Sequence, residues 1–101
     1  MNPEKRTRIV AVRNPQGLHA RPADAFVKVA LRFTSRIEVV KNSERVDGKS
    51  ILSLQTLAAE EGTLLAIEAT GEDADKALDA LVELFETNFG QEGKPDANAA
   101  G

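Results

Sequence analysis

The sequence predicts one α+β domain with its strands and helices in the order β-α-β-β-α-β-α and its helices on one face of the sheet. Two observations carry this reading. Segments with an apolar period of two are mixed with segments of period three to four, without the repeating βα unit of a doubly wound sheet. The 101 residues, 42% of them hydrophobic, are enough for one modest core and too few for two.

In RIVAVR, residues 8–13, Val10 and Val12 alternate with Ile9, Ala11 and Arg13, as in a strand with one buried face. Asn14, Pro15 and Gly17 then break the strand. From Ala20 the apolar positions Ala23, Phe26, Val27 and Ala30 recur on one helical face, and the helix should run to about Arg32. Ile37 and Val39 alternate with Arg36, Glu38 and Val40, and Asn42-Ser43 turns the chain into Arg45-Val46-Asp47, a hairpin. Ser50 is placed to cap a short amphipathic helix bearing Ile51, Leu52, Leu54, Leu57 and Ala58, which Gly62 is expected to end.

Leu65, Ile67 and Ala69 mark the next strand, closed by Gly71. Asp73 is expected to cap the last helix, whose inward stripe is Ala74, Ala77, Leu78, Leu81, Val82 and Phe85. On this reading the domain spans residues 7–89. Residues 1–6 are expected to be a flexible N-terminus and residues 90–101, GQEGKPDANAAG, a disordered tail.

Composition narrows the function. Without cysteine there is no disulfide, thiolate nucleophile or cysteine zinc site, and one histidine leaves few metal ligands, so catalytic metal chemistry is not expected. No segment has the roughly 20 apolar residues of a membrane span, and the N-terminal residues carry no apolar run of signal-peptide length. A soluble cytoplasmic protein is expected. The net charge of -3 and the lack of Trp and Tyr argue against nucleic acid as a partner. The charge is uneven, however. Residues 1–41 hold nine Lys/Arg and three Asp/Glu, whereas residues 42–101 hold four and thirteen. A basic patch facing an acidic partner or a phosphoryl group fits the first half, with ordinary solvated surface charge as the plainer alternative.

The only histidine lies in NPQGLHARPA, residues 14–23, where a strand gives way to a helix. His19 takes the position where Ser, Thr, Asp or Asn would cap the helix better. A helix N-terminus favours an anion, and the amides of Ala20 and Arg21 point into that region. Pro22 stiffens the first turn at the cost of a donor that has no helical partner anyway. Arg21 can hold phosphoryl oxygens through paired hydrogen bonds, and Gly17 permits close approach and unusual backbone angles. Together these residues describe a nucleophilic imidazole beside an anion site. Taken alone, His19 also reads as a surface or capping histidine. The joint occurrence of Gly17, His19, Arg21 and Pro22 favours chemistry. A Ser-His-Asp arrangement using Ser50 or Ser53 fares worse, because no nucleophile elbow or orienting acid accompanies it.

Gly17-Leu18-His19-Ala20-Arg21-Pro22-Ala23 resembles the active-site signature of HPr, the histidine-containing phosphocarrier family of the bacterial phosphoenolpyruvate-dependent phosphotransferase system. Lys49-Ser50-Ile51-Leu52-Ser53-Leu54-Gln55-Thr56-Leu57-Ala58 resembles the family's serine-site segment, at the expected distance downstream. The resemblance implies an open-faced β-sandwich: a four-stranded antiparallel sheet with three helices on one face. It implies that His19 accepts phosphate from phosphorylated enzyme I and passes it to an enzyme IIA component, with Arg21 stabilising the group and no cofactor. It also implies that Gly17 and the segment bearing Ile51, Leu52, Leu54 and Gln55 contribute to partner docking. Helical spacing assigns Leu54, Leu57 and Ala58 to the core and leaves Ile51, Leu52 and Gln55 for the surface. Ser50 matches the serine that an HPr kinase/phosphorylase modifies in many family members, but serine is equally a common helix cap. A monomer is expected. Asp24 replaces the small residue usual in the signature. It either pairs with Lys28 at i+4 or weakens the positive potential near His19.

Overall fold

The computed structural model describes residues 4–90. The elements are β1 (Lys5–Ala11), α1 (Ala20–Ala30), β2 (Arg36–Lys41), β3 (Glu44–Asp47), α2 (Ile51–Thr56), β4 (Leu64–Thr70) and α3 (Ala74–Glu86), followed by a 3-10 turn at Asn88–Gly90. All strand pairs are antiparallel, in the spatial order β1-β4-β2-β3. β1 therefore lies beside β4, far from it in sequence, and only β2-β3 is a local hairpin. The expected open-faced α+β sandwich, with three helices on one side, is what forms.

Period-two patterning decides the faces. Val10, Ile37, Val39, Leu65, Ile67 and Ala69 are buried toward the helices, whereas Ile9 and Leu64 stand on the open face at 63% and 65% exposure. The helices answer with Ala23, Phe26, Val27 and Ala30 of α1 and Ala77, Leu78, Leu81 and Phe85 of α3. The Phe26 and Phe85 rings meet edge to face, with centroids 6.1 Å apart, and lock α1 against α3. Lys49 Nζ donates to the Phe33 carbonyl and Lys41 Nζ to that of Leu57, both at 2.8 Å, tying down both ends of α2.

Several boundaries differ from expectation. β1 starts at Lys5, so Lys5 and Arg6 belong to the sheet opposite Thr70 and Ala69 rather than to a flexible end. Residues 1–3 and 91–101 lie outside the described residues; of the expected tail only Gly90 is described. α1 stops at Ala30, short of Arg32. α2 stops at Thr56, with Leu57 as its cap, and the left-handed residue that follows is Ala58 at φ +50, not Gly62. This turn ends the helical period, so Ala58 is exposed and Ala59 is buried instead. Gly62 serves the next turn, donating its N–H to the Val12 carbonyl at 2.8 Å. An alanine held in the left-handed region costs roughly 1 kcal/mol that glycine avoids. Ala58→Gly is therefore expected to raise unfolding stability by about 0.5–1 kcal/mol, measured as a higher urea midpoint at unchanged slope.

Asp73 precedes α3 but makes no cap hydrogen bond to it. Its carboxylate turns to the loop after α1, accepting the N–H groups of Thr34 and Ser35, both at 2.9 Å, and both hydroxyls. The Ser35 hydroxyl, with the Thr34 and Ser35 amides, holds the carboxyl at about 2, against an ordinary value of 3.8. The folded state thus binds this proton less readily than the unfolded chain. The stabilisation is complete above about pH 4 and is lost as pH falls through 2. Asp73→Asn should flatten the fall in melting temperature between pH 4 and 2, and an unchanged acid profile would rule out this role.

Part of the uneven charge is paired off across the fold. Arg6 pairs with Asp75 at 3.7 Å and Arg8 with Asp79 at 3.2 Å on α3, while Lys5 reaches Glu68 at 3.3 Å. These pairings follow from β1 running alongside β4 and α3, which carry Glu68, Asp75 and Asp79.

Candidate functional site

The segment joining β1 to α1 is held from both ends. Val12 donates to the Thr63 carbonyl at 2.9 Å, and Leu18 donates to the Ala59 carbonyl at the same distance. Between them the Asn14 side-chain oxygen accepts the Gln16 N–H and the Asn14 carbonyl accepts the Gly17 N–H, both at 2.8 Å. Gly17 sits at φ +75 against the Ala59 carbonyl, where a Cβ would come within 2.4 Å of that oxygen. Only glycine allows this approach. The buried Leu18 anchors the loop in the core, and the chain emerges with His19 half-buried at the head of α1.

His19 occupies the N-cap position with extended backbone, and its side chain makes no capping hydrogen bond. The ring is left available for chemistry. The first i→i−4 bond of α1 runs from Ala23 N–H to the His19 carbonyl at 3.0 Å, so the amides of Ala20 and Arg21 precede the helical ladder. Pro22 is fully buried and has no N–H. An open concavity of about 550 Å³ is lined by Asn14, Pro15, Gln16, His19, Ala20 and Arg21. Arg21 is the one cation in that lining and is exposed. The arrangement offers an imidazole, two amides at the positive end of a helix and a guanidinium to a small anion. Asp24 pairs with Lys28 at 3.0 Å, one turn along α1, which is the first of its two expected roles.

A second groove, of about 280 Å³, lies on the other flank of His19. It brings the ring together with Gln16, Gln55, Ala58 and Glu60. Of the expected docking residues, Gln55 shares this groove and Leu52 is 76% exposed, whereas Ile51 is half-buried and packs against the core. Leu54 and Leu57 are buried, as their spacing predicts. Ser50 caps α2, its hydroxyl oxygen accepting the Ser53 N–H at 3.2 Å, and it lines neither groove. Asn14, Gln16, Ala59 and Glu60 were not singled out by sequence reasoning. Asn14 shows there only as a turn former, Gln16 lies three residues before His19 with no pattern to mark it, and Ala59 and Glu60 meet the histidine loop from about 40 residues along the chain.

Comparison with known proteins agrees with this geometry. The family model described as "PTS HPr component phosphorylation site" matches residues 6–87. The chain is 47% identical over 81 residues to phosphocarrier protein HPr of Pseudomonas aeruginosa, covering 79% of this chain and 90% of that one. It is 42% identical over 82 residues to the HPr of Neisseria meningitidis, covering 81% and 92%. Among solved structures, HPr-C-His from Thermoanaerobacter tengcongensis superposes with a TM-score of 0.81 at 39% identity, covering 84% of this chain and 96% of that one. An HPr dimer from the same organism gives 0.68 at 40% identity, covering 79% and 92%. Among the described residues no helix is long and apolar enough to cross a membrane. A match over residues 6–87, agreement in sheet and helices, and a histidine kept clear of capping at the head of α1 lead to one conclusion: the chain belongs to the HPr family of phosphocarriers of the phosphotransferase system.

Proposed function

We propose that His19 is the phosphoryl acceptor, taking phosphate from phosphorylated enzyme I and giving it to an enzyme IIA component. The observation that carries this is the uncommitted His19 side chain at the N-terminus of α1, in one concavity with Arg21. A ring nitrogen, Nδ1 by family resemblance, supplies the electron pair for the new N–P bond as the bond to the donor breaks and the donor departs with its pair. The amides of Ala20 and Arg21 and the Arg21 guanidinium offset charge on the transferring group. The protein is then a stoichiometric carrier passing through a phosphohistidine, with no metal or cofactor, rather than an enzyme with a substrate of its own. Leu52 and Gln55, with the exposed part of Ile51, form the docking face, and Gly17, expected there from the resemblance, is buried against Ala59 and shapes the loop beside it. The working unit is a monomer, and its place is the cytoplasm.

Incubation with phosphoenolpyruvate and a competent enzyme I should add one acid-labile phosphate. No gain in mass would reject the reading. A regulatory module controlled by phosphorylation of Ser50 is the second reading, favoured by the position of Ser50 at the cap of the helix that contributes Gln55 to the His19 groove. A phosphate there would carry about −1.5 to −2 charges at a helix start, near a face that partners must approach. The same assay with ATP and an HPr kinase/phosphorylase distinguishes the two, because phosphoserine survives acid.

A further inference from the structure

We propose that Asn14 is a positioning residue for phosphoryl transfer, its side-chain oxygen holding the loop that presents His19; this rests on the acceptor role proposed for His19. Asn14 and Ser35 are the two buried polar side chains among the described residues. Ser35 is accounted for by Asp73. Asn14 faces the site: it lines the concavity shared by His19 and Arg21.

Its two oxygens take consecutive amides, Gln16 N–H on the side chain and Gly17 N–H on the carbonyl, each at 2.8 Å. The next amide, of Leu18, is held by Ala59 at 2.9 Å, and His19 follows directly. Three successive amides before the histidine are therefore fixed, two of them by Asn14. The His19 side chain contributes no capping bond to its own placement, so its position depends on this backbone. Asn is well suited to the task, because its side chain closes a turn onto the amide two residues on. Removing the side-chain oxygen leaves the Gln16 amide to water and lets the segment sample other turns, while the core anchors at Val12 and Leu18 persist.

The test uses the full chain as the substrate of enzyme I with phosphoenolpyruvate, at a temperature where circular dichroism shows every variant folded. A displacement of about 1 Å at a reacting group costs on the order of 100-fold, so partial loosening in Asn14→Ala should lower kcat by about 10-fold or more at little changed KM. Asn14→Asp and Asn14→Ser both keep an acceptor oxygen, one at full length and charged, the other shorter and neutral. At least one should recover most of the lost rate. Wild-type kcat in Asn14→Ala, a loss confined to KM, or recovery by neither conservative variant would each overturn the proposal. A wild-type chain that takes up no phosphate refutes the role of His19 instead. The loop-holding role is then decided by hydrogen exchange at the Gln16 amide: protection lost in Asn14→Ala and kept in Asn14→Asp supports it, and unchanged protection overturns it.

Discussion

His19→Ala is expected to abolish phosphate uptake from phosphoenolpyruvate and enzyme I while leaving the fold intact. The sequence has no other histidine and no cysteine, so no second side chain of comparable nucleophilicity can substitute at the head of α1. The hydroxyls of Ser50 and Ser53 belong to α2, and neither lines the concavity around His19. The loss should therefore be complete within detection rather than a graded fall. Stability should hardly change, because the imidazole is half-buried and makes no capping bond. A change of roughly 0.5 kcal/mol or less is expected for a side chain with so few commitments. Mass spectrometry for the phosphate and a denaturant melt for the fold decide the matter together. An acid-labile phosphate on folded His19→Ala would move the acceptor to another residue.

Gly17→Ala carries the second largest effect, and it should strike fold and function together. Two costs coincide at this position. A left-handed φ of +75 penalises any residue with a Cβ by roughly 1–2 kcal/mol. The Cβ would also stand 2.4 Å from the Ala59 carbonyl oxygen, a backbone atom that cannot swing aside as a long side chain can. That carbonyl accepts the Leu18 N–H, so relief of the clash pulls on the bond that seats the loop. A destabilisation of about 2–4 kcal/mol is expected, which for a domain of this size is a fall in melting temperature of roughly 10–25 °C. Phosphoryl transfer should fall as well at temperatures where the variant stays folded. Gly62→Ala separates the causes, since Gly62 has φ +91 but nothing within 4 Å of the added Cβ. It should cost only about 1 kcal/mol. Equal losses in the two variants would assign the effect to backbone conformation and leave no part for the Ala59 contact.

Much of the fold is legible in short-range pattern. Period two places Val10, Ile37, Val39, Leu65, Ile67 and Ala69 on the buried face, and period three to four places Phe26, Leu78, Leu81 and Phe85. Local chemistry has limits even over short stretches. Asp73 has the right type and position to cap α3, yet the amides and hydroxyls of Thr34 and Ser35 take its carboxylate. Ala58 enters the left-handed region where propensity would choose Gly62, because the chain must turn at once to bring Ala59 under the histidine loop.

By itself the sequence determined the order of elements, the faces of the sheet and helices, and the conjunction of Gly17, His19, Arg21 and Pro22 at a helix start. All of these depend on neighbours within a few residues, where backbone geometry and side-chain period act directly. Tertiary structure alone decided that Gly17 packs on Ala59, that Gln55 and Glu60 flank His19, and that Arg6 and Arg8 are neutralised by α3. The strand order β1-β4-β2-β3 pairs β1 with residues 53 to 65 positions along the chain and β2 with residues 26 to 34 positions along it. Which of several acceptors or counter-charges wins at such a meeting point is settled by distance and direction in the packed fold.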